Sequence, residues 1–111
     1  MTRVLASEFS DSKGCYNDNR LDDGKNYYAE LSTNPDAEDR KYDYSALGNL
    51  KKNYRLKITY KGKSEYAFKG DVGRGKKEKN GEIRKIDLHS TLARKLGFNG
   101  LDYVTYEHAP L

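Results

Sequence analysis

The segment KGDVGRGKKEKNGEIRKIDLHS, residues 69–90, concentrates the side chains best suited to chemistry. Asp71 stands between glycines, where a carboxylate can line a groove or brace the turn by accepting its backbone N–H groups. To act as an acid it must hold a proton near working pH, which burial or a neighbouring anion provides. Lys69 and Arg74, close to it in sequence, work against that. Glycoside hydrolysis needs a second carboxylate about 5–9.5 Å away. Glu8 and Asp11 are candidates by position, and nothing in the sequence ties either to Asp71.

Asp87 opens a second motif, IDLHS, at a strand-to-helix junction, where Asp87 or Ser90 can cap the first helical turn. Histidine suits proton transfer, but His89 stands alone at a helix start and reads as a surface residue. Between the two aspartates run Arg74, Lys76, Lys77, Lys79, Arg84 and Lys85, against Glu78 and Glu82. Such a run fits an anionic polymer such as teichoic acid or pectin, or nucleic-acid phosphate; it fits a solvated hairpin connection equally well. Sugar rings stack on flat aromatic faces, which makes Tyr66, Tyr103 and Tyr106 candidates for substrate binding beside Asp71. Cys15 is the only cysteine and there are two histidines, so no metal-ligand cluster and no internal disulfide is expected, and no cofactor is implied.

These residues need a scaffold, and the pattern predicts a β-rich one. VLASEF reads as a first strand, and YYAEL as a second with Tyr27, Ala29 and Leu31 on one face. The stretch 10–26 and the polar run STNPDAEDRKYD read as loops, and YSALGNL as one helical turn ending near Gly48. NYRLKITY alternates with period two, Tyr54, Leu56, Ile58 and Tyr60 on one side. Lys61–Gly62 then turns the chain into KSEYAFKG, a hairpin. In IDLHSTLARKLGF, Leu88, Leu92 and Leu96 form one apolar stripe of a short helix, stopped at Gly97. NG at 99–100 turns into a last strand, LDYVTYEH.

The chain has 111 residues, enough for a single domain over 1–111. Ten tyrosines let a sequence of only 35% hydrophobic residues build a core. The net charge of +4 favours anionic partners or simply keeps a small domain dispersed. No apolar run approaches the ~18 residues of a membrane span. Met1–Ala6 is too short for a signal peptide, so the sequence fits an intracellular protein or a mature secreted form.

The order of hairpin, GDVGRG, basic loop, KIDLHSTLARKLGF and GLDYVTYE resembles the rare-lipoprotein-A-like double-psi β-barrels of the barwin and expansin group. Asp71 matches the aspartate of their N-D-R-G-P loop, IDLH at 86–89 their I-D-L-S, ARKLGF the helix end and GLDYV the last strand. The resemblance covers residues 54–107. The loop departs from the family pattern, with arginine three residues after the aspartate instead of one, and the plant H-F-D motif and disulfides are missing.

The resemblance implies an all-β, six-stranded double-psi barrel with one or two short helices. It also implies binding or non-hydrolytic remodelling of a cell-wall polysaccharide or peptidoglycan. Asp71 would lie in the groove, with Tyr66, Tyr103 and Tyr106 as stacking surfaces and Arg74, Lys76 and Lys77 holding anionic polymer. One alternative is a peptidoglycan lytic transglycosylase, which needs a single acid, Asp71. The other is a secreted protein-binding module, an inhibitor or effector, which a flat apolar patch over 34–45 would favour. The implied state is a monomer, secreted or in the cell envelope. Nucleic acid is not the expected partner, because no nucleic-acid module accompanies the basic run.

Overall fold

The structure, a computed structural model, describes residues 1–16 and 19–111; residues 17 and 18, within the first loop expected above, lie outside the described residues. The strands are β1 (Thr2–Phe9), β2 (Tyr27–Leu31), β3 (Arg55–Tyr60), β4 (Lys63–Gly73), β5 (Ile86–His89) and β6 (Asp102–His108). One helix, α1 (Ser90–Leu96), follows β5, and a 3-10 turn spans Glu38–Arg40.

The period-two pattern does what alternation requires. In β3, Leu56, Ile58 and Tyr60 are buried, while Arg55, Lys57 and Thr59 are half-exposed. Lys61 (φ 46°) and Gly62 (φ 85°) make the two-residue turn into β4. Two left-handed residues in succession match the strands' own twist.

Neighbours run β1-β5-β2-β4-β3-β6, and β6 pairs back with β1, so the sheet closes into a six-stranded barrel without free edges. The β1–β5 and β2–β4 pairs are parallel and the other four antiparallel. Val4, Ala6, Tyr28, Ile58, Ile86, Leu88 and Val104 fill the interior, and α1 adds Leu92, Ala93 and Leu96. Each large apolar side chain contributes about 1.5–3 kcal/mol by leaving water. Tyr60 and Phe98 meet edge to face with centroids 5.1 Å apart.

Four expectations change here. Residues 44–50 form a turn around 46–48, not a helical turn. The N–H groups of Leu47, Asn49 and Leu50 go to the Glu30 carboxylate, at 2.9, 2.7 and 2.8 Å, leaving no helical ladder. Lys69, also interior, donates from Nζ to Glu30 Oε1 at 2.8 Å and to the Leu50 carbonyl. Neither Asp87 nor Ser90 caps α1; His89 does, its Nδ1 taking a long bond of 3.5 Å from Thr91 N–H. His89 is buried rather than on the surface, its Nε2 bonded to the Asp11 carbonyl at 2.9 Å and its ring edge-on to Phe9. Tyr106 lies in the core at 8% exposure, because it shares the inward face of β6 with Val104. It is therefore not a stacking surface.

Candidate functional site

The site begins with a bulge. Along the parallel β2–β4 pair, Tyr28 faces Lys69 but Ala29 faces Asp71, so Gly70 is an extra residue on β4. A bulge reverses which residues point inward beyond it. Lys69 faces the interior and so, by alternation, Asp71 would have too; the extra residue turns it outward beside Ala29. Gly70 is required by close packing: a Cβ there would lie 2.6 Å from Leu21 Cδ2 and 2.9 Å from Tyr27 Cδ1.

Directly paired residues share a face. Ser7 faces Asp87, Asp87 faces Ala29 and Ala29 faces Asp71, giving one row across β1, β5, β2 and β4. Their neighbours Ala6, Tyr28, Ile86 and Leu88 are core, so the row lies on the barrel's outer face. Two carboxylates thus flank a methyl group, with backbones two strands apart, about 10 Å.

Their environments differ. Burial pushes the Asp87 carboxyl above the usual carboxylate range; a hydrogen bond from the Ser7 hydroxyl and the charge of Arg84 oppose this, while Asp11 and Asp71 add to it. Asp87 therefore holds its proton more tightly than an ordinary carboxylate, the opposite of a helix cap. Oδ1 of Asp71 accepts from Val72 N–H at 2.8 Å and Cys15 N–H at 3.0 Å. That bond ties the first loop to β4, and Gly14 packs so closely there that a Cβ would sit 1.9 Å from the Gly70 carbonyl. Burial first, and then the bond with Asp71, pushes the Cys15 thiol upward. The two cations expected to oppose Asp71 are committed elsewhere: Lys69 to Glu30, and Arg74 to the Pro35 carbonyl at 2.8 Å.

The remaining candidates fall at varying distances from this row. Tyr103 pairs with Leu5, two residues before Ser7, one outward row away. Its ring is covered by the Arg3 guanidinium at 3.6 Å and its hydroxyl donates to Glu82, a bond that makes the Tyr103 hydroxyl hold its proton more tightly than usual. Tyr66 is exposed, under Arg55 at 4.6 Å, five residues along β4 from Asp71, about 16 Å of strand. The tyrosines therefore do not form a single platform beside Asp71. Glu8 takes Gly100 N–H at 3.3 Å and shares the parity of Ala6, not of Ser7.

The basic run is a folded hairpin: Lys77 bridges Ile83, Glu78 N–H donates to the Glu82 carbonyl at 2.8 Å, and Arg84 pairs with Glu78 at 2.6 Å. Arg74, Lys76 and Lys77 line a cleft with Pro35 and Asp36. The loop 34–45 carries no flat apolar patch: Tyr44 is its one large exposed hydrophobic side chain, and Glu38, Asp39, Arg40 and Lys41 are exposed around it. Among the described residues, no group of His, Cys, Asp or Glu side chains is arranged to hold a metal, and no helix is long and apolar enough to cross a membrane.

Sequence reasoning took Asp87 as a cap and missed Ser7. The available signal was parity: the D of IDLH alternates with two core residues, which places it on the outer face. Compared with known protein families and with curated proteins, the chain matches none.

Proposed function

We propose that this chain is a double-psi barrel of the rare-lipoprotein-A-like kind that binds and remodels a cell-wall polysaccharide without hydrolysis. The observation that carries the reading is the outward row Ser7, Asp87, Ala29, Asp71. Ala29 between them is itself buried at 3% exposure, so a sugar's hydroxyls would bond to the half-exposed edges of Asp71 and Asp87 rather than enter between them. Asp71, braced by two N–H donors, offers a fixed acceptor; Asp87, whose proton burial holds more tightly than usual, donates whenever it is protonated. The closed barrel, with an I-D-L strand feeding a short helix, supports the family reading.

One observation favours a second reading, a peptidoglycan lytic transglycosylase. Its general acid would be Asp87, the carboxyl whose proton burial holds more tightly than usual, rather than Asp71. As Asp87 gives its proton to the departing glycosidic oxygen and that C–O bond breaks, the sugar's own hydroxyl would attack the anomeric carbon to close the anhydro ring, returning its proton to the Asp87 carboxylate, and Asp71 would orient it.

The test is a pull-down on insoluble peptidoglycan, cellulose and chitin with the parent, Asp71→Asn and Asp87→Asn, with soluble products analysed by mass spectrometry. Binding that weakens in both variants, with no sugar released, supports remodelling. Anhydro-sugars that vanish in Asp87→Asn establish the lytic enzyme. No binding to any of the three polymers defeats both readings.

A further inference from the structure

We propose that the polymer engaged by the acid row is negatively charged, and that its phosphate or carboxylate seats between residues 35–36 and the 74–84 hairpin, held by Lys76 and Lys77. The proposal rests on the polysaccharide reading above and names the class of glycan.

The cleft has a volume of about 470 Å³, within the ~300–1,000 Å³ typical of small-molecule sites. Both walls are held in place. The hairpin is closed by the Lys77–Ile83 bridge and by Arg84 N–H bonded to the Lys76 carbonyl at 3.1 Å. Arg74 Nε bonds the Pro35 carbonyl at 2.8 Å, fastening the opposite wall to the hairpin's first residue. A site built in advance loses little to ordering when it binds.

The charges are unequally available. Arg84 is paired with Glu78, and Arg74 spends Nε on a neutral carbonyl. Lys76 and Lys77 are exposed and form no ion pair among the described residues. One acid, Asp36, shares the lining. The cleft is therefore net positive, with two lysines free to meet an anion.

Arg84 connects the cleft to the acid row, lining the one and lying near enough to Asp87 to oppose its proton retention. Arg74 follows Asp71 by three residues. A glycan can lay hydroxyls across Asp71 and Asp87 and place a charged substituent in the cleft.

Calorimetric titration with four probes tests this: poly(glycerol phosphate) teichoic acid, oligogalacturonate, neutral cello-oligosaccharide and oligothymidylate. Lys76→Ala/Lys77→Ala is expected to weaken the charged glycan about tenfold at low salt, an effect that fades as salt screens exposed charges. Lys51→Ala/Lys52→Ala, an equal charge change away from the cleft, is expected to change affinity less than about twofold. Whichever charged glycan responds identifies phosphate or carboxylate as the anion. Equal losses in the two double variants, no loss in the first, or oligothymidylate binding more tightly than either charged glycan would overturn the proposal. Charged-glycan binding that depends on the lysines but is unchanged in Asp71→Asn and Asp87→Asn would remove the acid-row premise, and the proposal with it.

Discussion

Replacing Lys69 with methionine removes the only cation that the described structure pairs with Glu30, inside the barrel where the two side chains are 3% and 0% exposed. Breaking a buried pair by deleting one partner costs about 3–5 kcal/mol, because the other charge stays buried and uncompensated. Glu30 still accepts from Leu47, Asn49 and Leu50 N–H at 2.9, 2.7 and 2.8 Å, which places the cost near the lower end, about 3 kcal/mol. For a domain of this size each kcal/mol moves the melting point by about 4–8 °C, so a fall of about 12–24 °C is expected. Thermal unfolding by circular dichroism measures it, and amide exchange at residues 47, 49 and 50 shows whether the loop loosens. The double variant Lys69→Met/Glu30→Leu sharpens the test. Replacing a whole buried pair with apolar groups is often neutral, but here it would leave three N–H groups unmet, each costing about 1–3 kcal/mol. The double variant should therefore be no more stable than Lys69→Met. A Lys69→Met protein melting within a few degrees of the parent, or a double variant restored to parental stability, would refute the reasoning.

Asp87 makes stability depend on pH in a definite direction. Its folded carboxyl holds its proton more tightly than an unfolded one, so its contribution is complete below the ordinary carboxylate value near 4 and is lost as pH rises through the folded value. Asp87→Asn should therefore gain stability relative to the parent between pH 3 and pH 7, as read from urea midpoints at both. Gly14→Ala should cost about 2 kcal/mol or more, since its Cβ would fall 1.9 Å from a backbone oxygen. Faster exchange of the Cys15 amide would show that the bond to Asp71 had loosened.

The hairpin, the helix stripe and the succession of strands along the chain were legible because each is written in local periodicity. Leu56, Ile58 and Tyr60 recur every second residue, and Leu88, Leu92 and Leu96 every fourth. Barrel closure was not in the local pattern; it came from resemblance, and the closed sheet is what the structure shows. The site was half visible. Asp71 stood out between glycines, but the partner that shares its row is sixteen positions away on another strand, and Ser7 sixty-four away. Only strand register brings them together. Nothing singles out Glu30 in YYAELS, and Lys69 reads as a cation opposing Asp71; the structure instead pairs them in the interior, where Glu30 also takes the amides of the 47–50 loop. Tyr66, Tyr103 and Tyr106 share a residue type but not a location, because strand parity sent one inward and separated the other two.

The first strand has no partner in the first three quarters of the chain. Ala6 lies between Ile86 on β5 and Asp102 on β6. A polypeptide emerging from a ribosome at about 5–20 residues per second therefore carries VLASEF with both hydrogen-bonding edges open for roughly 5–20 s. Pairings this distant in sequence form late and slowly, so the barrel can be completed only after nearly the whole chain exists. Until then the chain can still be threaded through a pore, and it also exposes an apolar strand able to pair with another copy. Folding and escape from aggregation thus depend on the arrival of the last strand.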